Sequence, residues 1–259
     1  MDLGISGLNA LILGGTKGLG LSCARALVQA GVHVVLNGRD EPGGQAAAAE
    51  LGNGTGFIAG DVSDPASRRQ IFKGARARLG PIAILVTNSG GPPPGPLETH
   101  DHAVWLKALE NNMLAAIDFA SMALPDMREA GFGRIVNITS AAVKAPIDVL
   151  GLSNGARAGL TGFVAGIARK TVRHNVTING LLPGPFNTDR IRKVAAGQAQ
   201  ATGASIEDIM TKRARENPAG RFGDPEEFGA ACAFLCSTKA GFITGQNILL
   251  DGGAYPGTL

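Results

Sequence analysis

The chain has 259 residues, 44% of them hydrophobic and 17% charged, so it carries enough apolar material for a substantial core and is not a disordered polymer. No run of eighteen apolar residues occurs, which argues against a membrane-spanning helix, and the 38 glycines follow no triplet period. A net charge of +3, without any block of like charges, gives no footing for a nucleic-acid partner.

In chain order, seven short runs read as strands: Asn9 to Leu13, Val32 to Leu36, Gly56 to Ile58, Ile82 to Val86, Arg134 to Ile138, Val176 to Leu182 and Asn247 to Leu250. Each is bounded by Gly, Pro, Asn or Asp, as buried parallel strands are. Helical patterns lie between them. Leu109, Met113, Ala116, Ile117 and Ala120 give one apolar face, and Leu160, Phe163, Val164 and Ile167 give another at i, i+3, i+4, i+7. This alternation predicts a doubly wound α/β fold, a seven-stranded parallel sheet covered on both faces, in a single domain over 1–259. The segment from Asn187 to Pro218 breaks the rhythm because it leads to no strand. It is rich in Ala, Gln, Thr, Lys and Arg, and is expected to form a helical lid above the carboxyl edge of the sheet.

After the first strand comes Gly14-Gly15-Thr16-Lys17-Gly18-Leu19-Gly20, running into a helix expected to begin near Leu21. Glycines allow close backbone approach to a pyrophosphate, and the helix start offers unpaired N–H groups and a positive dipole end. A glycine-rich turn is weak evidence alone, but here a strand precedes it and a helix follows.

The Gly-x-x-x-Gly-x-Gly spacing resembles the short-chain dehydrogenase/reductase family, and further segments carry the resemblance along nearly the whole chain. Asp61-Val62, read as the end of the third strand, stands where the family binds adenine. Thr87-Asn88-Ser89-Gly90 stands where it has Asn-Asn-Ala-Gly, and Asn112 where it has a structural and catalytic Asn. Ser140 occupies the catalytic Ser position, while Pro183-Gly184 and Thr188 match the segment that holds nicotinamide. Gly220-Arg221, Pro225-Glu226-Glu227, Ile243-Thr244-Gly245-Gln246 and Asp251-Gly252-Gly253 match the C-terminal third. The resemblance implies a Rossmann-type fold, a nicotinamide cofactor, a small-molecule carbonyl substrate, and a homotetramer or homodimer. Thioester reductases acting on 3-oxoacyl groups are the nearest general type.

Cofactor choice turns on the end of the second strand. The acid that would bind NAD ribose is replaced by Gly38, and Arg39 and Lys17 offer cations to a 2′-phosphate, so NADP (NADPH) is expected. Rescue of NAD binding by Asp40 is the alternative.

The resemblance fails at the proton donor. The family's Tyr-x-x-x-Lys aligns with Ser153-Asn154-Gly155-Ala156-Arg157, and the only tyrosine in the chain is Tyr255. A serine hydroxyl is far less acidic than a phenol and reaches about 4 Å less. Arg157 can still supply positive charge and hydrogen-bond the nicotinamide ribose, although its planar fork needs other acceptors than a lysine does. Three accounts stand open. Catalysis persists with Ser140 polarising the carbonyl and water, Ser153 or Lys144 delivering the proton; or the chain binds NADP without hydride transfer, as a sensor or partner subunit; or Tyr255 of a neighbouring subunit enters the site.

The remaining candidates read as structural. His100-Asp101-His102 lacks a third metal ligand and reads as a capping cluster. Cys232 and Cys236, one helical turn apart, read as buried small hydrophobes, and Asp251 as ordering the C-terminal turn. The three cysteines are odd in number without zinc spacing, and Met1 to Ile5 show no basic region ahead of the apolar stretch. The expectation is a reduced, cytoplasmic chain.

Overall fold

Strands β1 (Asn9–Ile12), β2 (His33–Gly38), β3 (Gly56–Ala59), β4 (Ile84–Thr87), β5 (Gly133–Ile138), β6 (Val176–Pro183) and β7 (Asn247–Leu250) make one parallel sheet in the order β3-β2-β1-β4-β5-β6-β7. The computed structural model describes Met1–Thr258, apart from the side chain of Leu97. Nine α-helices are seen among these residues: α1 (Gly18–Gln29), α2 (Glu41–Leu51), α3 (Pro65–Leu79), α4 (His102–Leu109), α5 (Ala115–Glu129), α6 (Gly151–Thr171), α7 (Asp189–Thr202), α8 (Ile206–Glu216) and α9 (Pro225–Cys236). None is long and apolar enough to cross a membrane.

The strands are apolar on both faces because both are covered. Within β1, Ala10 and Ile12 enter a core shared with Cys23, Leu27 and Phe228 of α1 and α9. Leu11 and Leu13 enter the opposite core, with Ile71, Phe119 and Leu160 of α3, α5 and α6. The chain winds outward from β1 to β3, returns to β4 on the other side of β1, and continues to β7. That reversal opens a crevice beyond the carboxyl ends of β1 and β4, the place where such sheets bind ligands.

Several expected boundaries move. The first helix starts at Gly18, not Leu21, so Gly18-Leu19-Gly20 are its first turn. β3 ends at Ala59, and Asp61 and Val62 lie in the turn beyond it. The helix expected across Leu109 to Ala120 is interrupted by a π-helical stretch, Glu110–Leu114, which contains Asn112. The excursion from 187 to 218 is α7 and α8, two helices that add no strand.

Arg68 of α3, only 2% exposed, ties these parts together. Its Nε donates to the Val62 carbonyl at 2.6 Å, and its Nη1 to Asp118 Oδ2 of α5 at 2.7 Å. Its Nη2 donates to the Glu110 carbonyl at 3.1 Å and to the Glu110 carboxylate at 2.5 Å. One guanidinium thus joins the turn after β3 to the start of the π-helical step and to α5 beyond it. Replacing it by Met leaves two carboxylates and two carbonyls to find water. The expected cost is about 3 kcal/mol, the low end for breaking a buried pair, because Glu110 and Asp118 are partly exposed. A thermal melt of Arg68→Met should show Tm lowered by roughly 6–10 °C; an unchanged Tm would show that the network contributes nothing.

Candidate active site

The glycine loop is shaped by contact with β4. Gly14 and Gly18 have φ of +55°, and a Cβ on Gly20 would lie 2.2 Å from the Gly14 carbonyl oxygen. Asn88 Nδ2 donates to that same carbonyl at 3.0 Å, closing β1 against β4. No side chain caps the start of α1 at Lys17, so its first N–H groups stay available. A Cβ on Gly90 would meet nothing within 4 Å, and one on Gly18 only Thr188, at 3.8 Å. The backbone here is open to a close-lying ligand, and the loop fits a pyrophosphate.

At the end of β2, a Cβ on Gly38 would lie 2.8 Å from Thr16 Cγ2, so Thr16 takes the space a carboxylate side chain would need. Leu19, in the first turn of α1, packs partly buried against the core. Arg39 is 79% exposed and lies 3.8 Å from Asp61, and Lys17 is exposed as well. Burial works against ionisation of Asp61, but hydrogen bonds from the backbone and side chain of Ser63, helped by Arg39 and Lys107, hold its carboxyl below the usual range. Pro183 and Gly184 close β6, with Gly184 donating its N–H to the Leu250 carbonyl. Thr188 leads into α7.

Beyond β4 and β5 the polar side chains form a ladder. Thr87 Oγ1 donates to Asn137 Oδ1 at 2.6 Å, and Ser89 Oγ to Asn112 Oδ1 at 3.3 Å. Asn112 Nδ2 donates to the carbonyl of Ala108, four residues earlier in α4. Ser140 Oγ accepts the Ala142 N–H at 3.1 Å, which leaves its own proton for another acceptor. Lys144, one of several candidate proton donors in the sequence, caps the short 3-10 turn Ala141–Val143 by its backbone, and its side chain is half-buried.

Ser153 and Arg157 are one turn apart on α6, both 6% exposed. Arg157 Nε donates to Ser153 Oγ at 3.2 Å, and Nη1 donates to the Ile138 carbonyl at 2.9 Å. Neither bond is to a carboxylate. Burial, with Arg190 second, pushes this guanidinium down to about 10. It lines a narrow cleft together with Asn88, Ser89 and Asn112. The structure thus joins Ser153 to Arg157 by a hydrogen bond and places Arg157 and Asn112 on one cleft, while Ser140 follows β5 at the start of the Ala141–Val143 turn.

Of the other expectations, Asp101 caps α4 by accepting the Val104 N–H, and no group of metal-binding side chains occurs among the described residues. All three cysteines are buried free thiols. Asp251 accepts N–H bonds from Gly253 and Tyr255, ordering the C-terminal turn. Arg68 and Arg190 were not singled out in the sequence. The available signal for Arg68 is its place on the apolar stripe with Ile71, Phe72 and Ala75; Arg190 has none.

A family model described as enoyl-(acyl carrier protein) reductase matches residues 14–255. The 3-oxoacyl-[acyl-carrier-protein] reductase FabG of Vibrio cholerae is 31% identical over 255 residues, covering 98% of this chain and 99% of its own. The L-fucose dehydrogenase of Rattus norvegicus is 32% identical over 258 residues, covering 97% and 91%. The solved structure of L-sorbose reductase from Gluconobacter frateurii, complexed with NADPH and L-sorbose, superposes with a TM-score of 0.95 at 29% identity, covering 99% of this chain and 100% of that one. With the sheet order, the glycine loop and these matches in agreement, the chain belongs to the short-chain dehydrogenase/reductase family.

Proposed function

We propose that the protein is an NADPH-dependent reductase of a small-molecule carbonyl, with a serine–arginine pair in place of the family's tyrosine and lysine. The observation that carries this reading is the hydrogen bond to Ser153 from Arg157, which lines the cleft. When bound, NADPH supplies hydride to the carbonyl carbon. Gly14, Gly18, Leu19 and Gly20 would hold its pyrophosphate, Lys17 and Arg39 its 2′-phosphate, Asp61 and Val62 its adenine, Asn88 and Gly90 its ribose, and Pro183, Gly184 and Thr188 its nicotinamide.

The chain's own part is to neutralise the oxygen. Ser140 donates a hydrogen bond to it. Arg157 occupies one lone pair of Ser153 Oγ and places a positive charge beside it, so the Ser153 hydroxyl is turned outward and made more acidic. Ser153 then passes its proton to the alkoxide and regains one from water entering the cleft beside Ser89 and Asn112. One hydride and one proton convert the ketone to the alcohol. Thr16 at the Gly38 position and the exposed Arg39 support NADPH over NADH.

NADPH is expected to bind at least about ten-fold more tightly than NADH, from a charge-assisted contact partly screened by solvent. Fluorescence titration should show the gap closing in Arg39→Ala; equal affinities in the unaltered protein would remove NADP from the assignment.

Turnover should require Ser140, so Ser140→Ala is expected to lower kcat by about 10²-fold or more with NADPH affinity kept. Because Arg157 acts as a cation, kcat should fall as pH rises through about 10, where the guanidinium loses its proton. Stopped-flow measurement of NADPH oxidation against pH tests this. A profile flat to pH 11 excludes Arg157, and tight NADPH binding without turnover across a broad carbonyl panel favours the binding-protein reading.

The assembly proposed is a homotetramer. Leu106 and Leu114, around the π-helical step, and Phe242, just before β7, are exposed large apolar side chains on two separate faces. Sedimentation at micromolar concentration should give four chains per particle, and Phe242→Asp should halve it; a monomer would contradict the proposal.

A further inference from the structure

Two residues of the cleft wall, Val62 and Asn112, stand on separate supports, the turn after β3 and the π-helical step. Arg68 binds both supports from behind. Its Nε holds the Val62 carbonyl, and its Nη2 holds the carbonyl and the carboxylate of Glu110, with Nη1 on Asp118 of α5. At the far side of the step, Asn112 Oδ1 accepts the Ser89 hydroxyl from the loop after β4. A continuous set of bonds therefore runs from the turn after β3 to Asn112.

The Glu110 carbonyl is the one on which the step is built. It also accepts the N–H of Ala115, five residues on, which is the bond that makes this stretch π-helical. A π-helical step adds one residue to a helix, so the carbonyl that takes it decides which side chains face the cleft. Sliding the step along the helix would turn the side chains it passes by about 100°, Asn112 among them. Arg68 holds both the carbonyl and the carboxylate of Glu110, and so marks where the step begins. Packing alone does not call for an arginine here. Its neighbours on the inner face of α3 are Ile71, Phe72 and Ala75, all buried and apolar. An apolar side chain is often as stable as a buried ion pair, so what the guanidinium adds is direction, a planar fork with arms fixed towards three segments.

We infer that Arg68 is a positioning residue for the reductase: it ties the Val62 turn to the start of the step that carries Asn112, so that filling the adenine end of the site sets Asn112 at the reacting end. This rests on the reductase reading above, which puts the adenine at Asp61 and Val62. Arg68 itself, 2% exposed, acts only through these neighbours.

The test uses the full chain and adenosine 2′,5′-bisphosphate, which carries adenine and the 2′-phosphate but no nicotinamide and so fills one end only. At saturation it should slow hydrogen exchange of the Glu110–Leu114 amides about five-fold in the unaltered protein and in Asp118→Ala. Exchange in Arg68→Lys and in Glu110→Ala should not respond. Lysine keeps the charge without the fork, while the two alanine variants each take one carboxylate from the same guanidinium, so a merely structural network predicts the same response from both. Kinetics give a second readout, with saturating NADPH and the fastest-reacting compound of the carbonyl panel. Arg68→Lys and Glu110→Ala should lower kcat about ten-fold, and Asp118→Ala less than about two-fold. No slowing of exchange in the unaltered protein, equal slowing in Arg68→Lys, or equal losses of kcat in all three variants would overturn the inference. If Arg68→Lys does not fold, the contrast between Glu110→Ala and Asp118→Ala decides it. Failure of the bisphosphate to bind at all would instead overturn the NADPH reading on which the inference rests.

Discussion

The contact between the glycine loop and Asn88 is the constraint on which the rest of the site depends. The two halves of the sheet wind away from each other at β1 and β4, whose ladder ends with the Leu13 N–H on the Val86 carbonyl at 2.9 Å, and the loops beyond that ladder must be fastened separately. The Asn88 amide fastens them by donating to the Gly14 carbonyl, at the point where Gly20 passes closer than any side chain would allow. The uncapped start of α1 is thereby fixed over the crevice, with its N–H groups in one place. Moving this junction by the width of a methyl group would separate the phosphate-binding half from the half that carries Ser140 and Ser153.

The second organising theme is how buried guanidiniums are compensated. Arg68 is paired with two carboxylates and serves as a fastener. Arg134 is 1% exposed and relies on the carbonyls of Gly133, Asn175 and Ser237, with the Phe132 ring 4.2 Å away; burial lowers its pKa. Arg157 has one carbonyl and one hydroxyl. Its burial destabilises the folded chain at neutral pH, because the unfolded chain holds the same proton more tightly. That penalty is relieved only as pH rises above about 10. An uncompensated charge of this kind is costly in a core and useful beside a developing alkoxide.

Much of this was legible beforehand, and the residues explain the division. The strand alternation gave the sheet, and the ordered motifs gave the crevice, because buried runs and turn glycines are local features. The helix start was misplaced because Gly18 and Gly20, poor helix formers, are required there by contact with Gly14 and β4. The π-helical step at Asn112 was invisible because its support, Arg68, is 42 residues away from Glu110 in sequence.

The agreement in backbone with L-sorbose reductase, at a TM-score of 0.95, sets the fold and leaves the chemistry open, since a superposition of chains does not place a phenol where the sequence has none. In the proposed reaction, the loss of an acidic hydroxyl is offset by electrostatics. A phenol is acidic enough to deliver a proton by itself; a serine needs a cation held against it, shielded from water so that its field is not screened. Replacing the lysine by arginine provides that cation with a forked head, one arm on the Ile138 carbonyl fixing its orientation and another on Ser153. The two substitutions therefore make sense together, as parts of one device. Restoring the tyrosine alone would put a ring into a position that is 6% exposed and already engaged by Arg157.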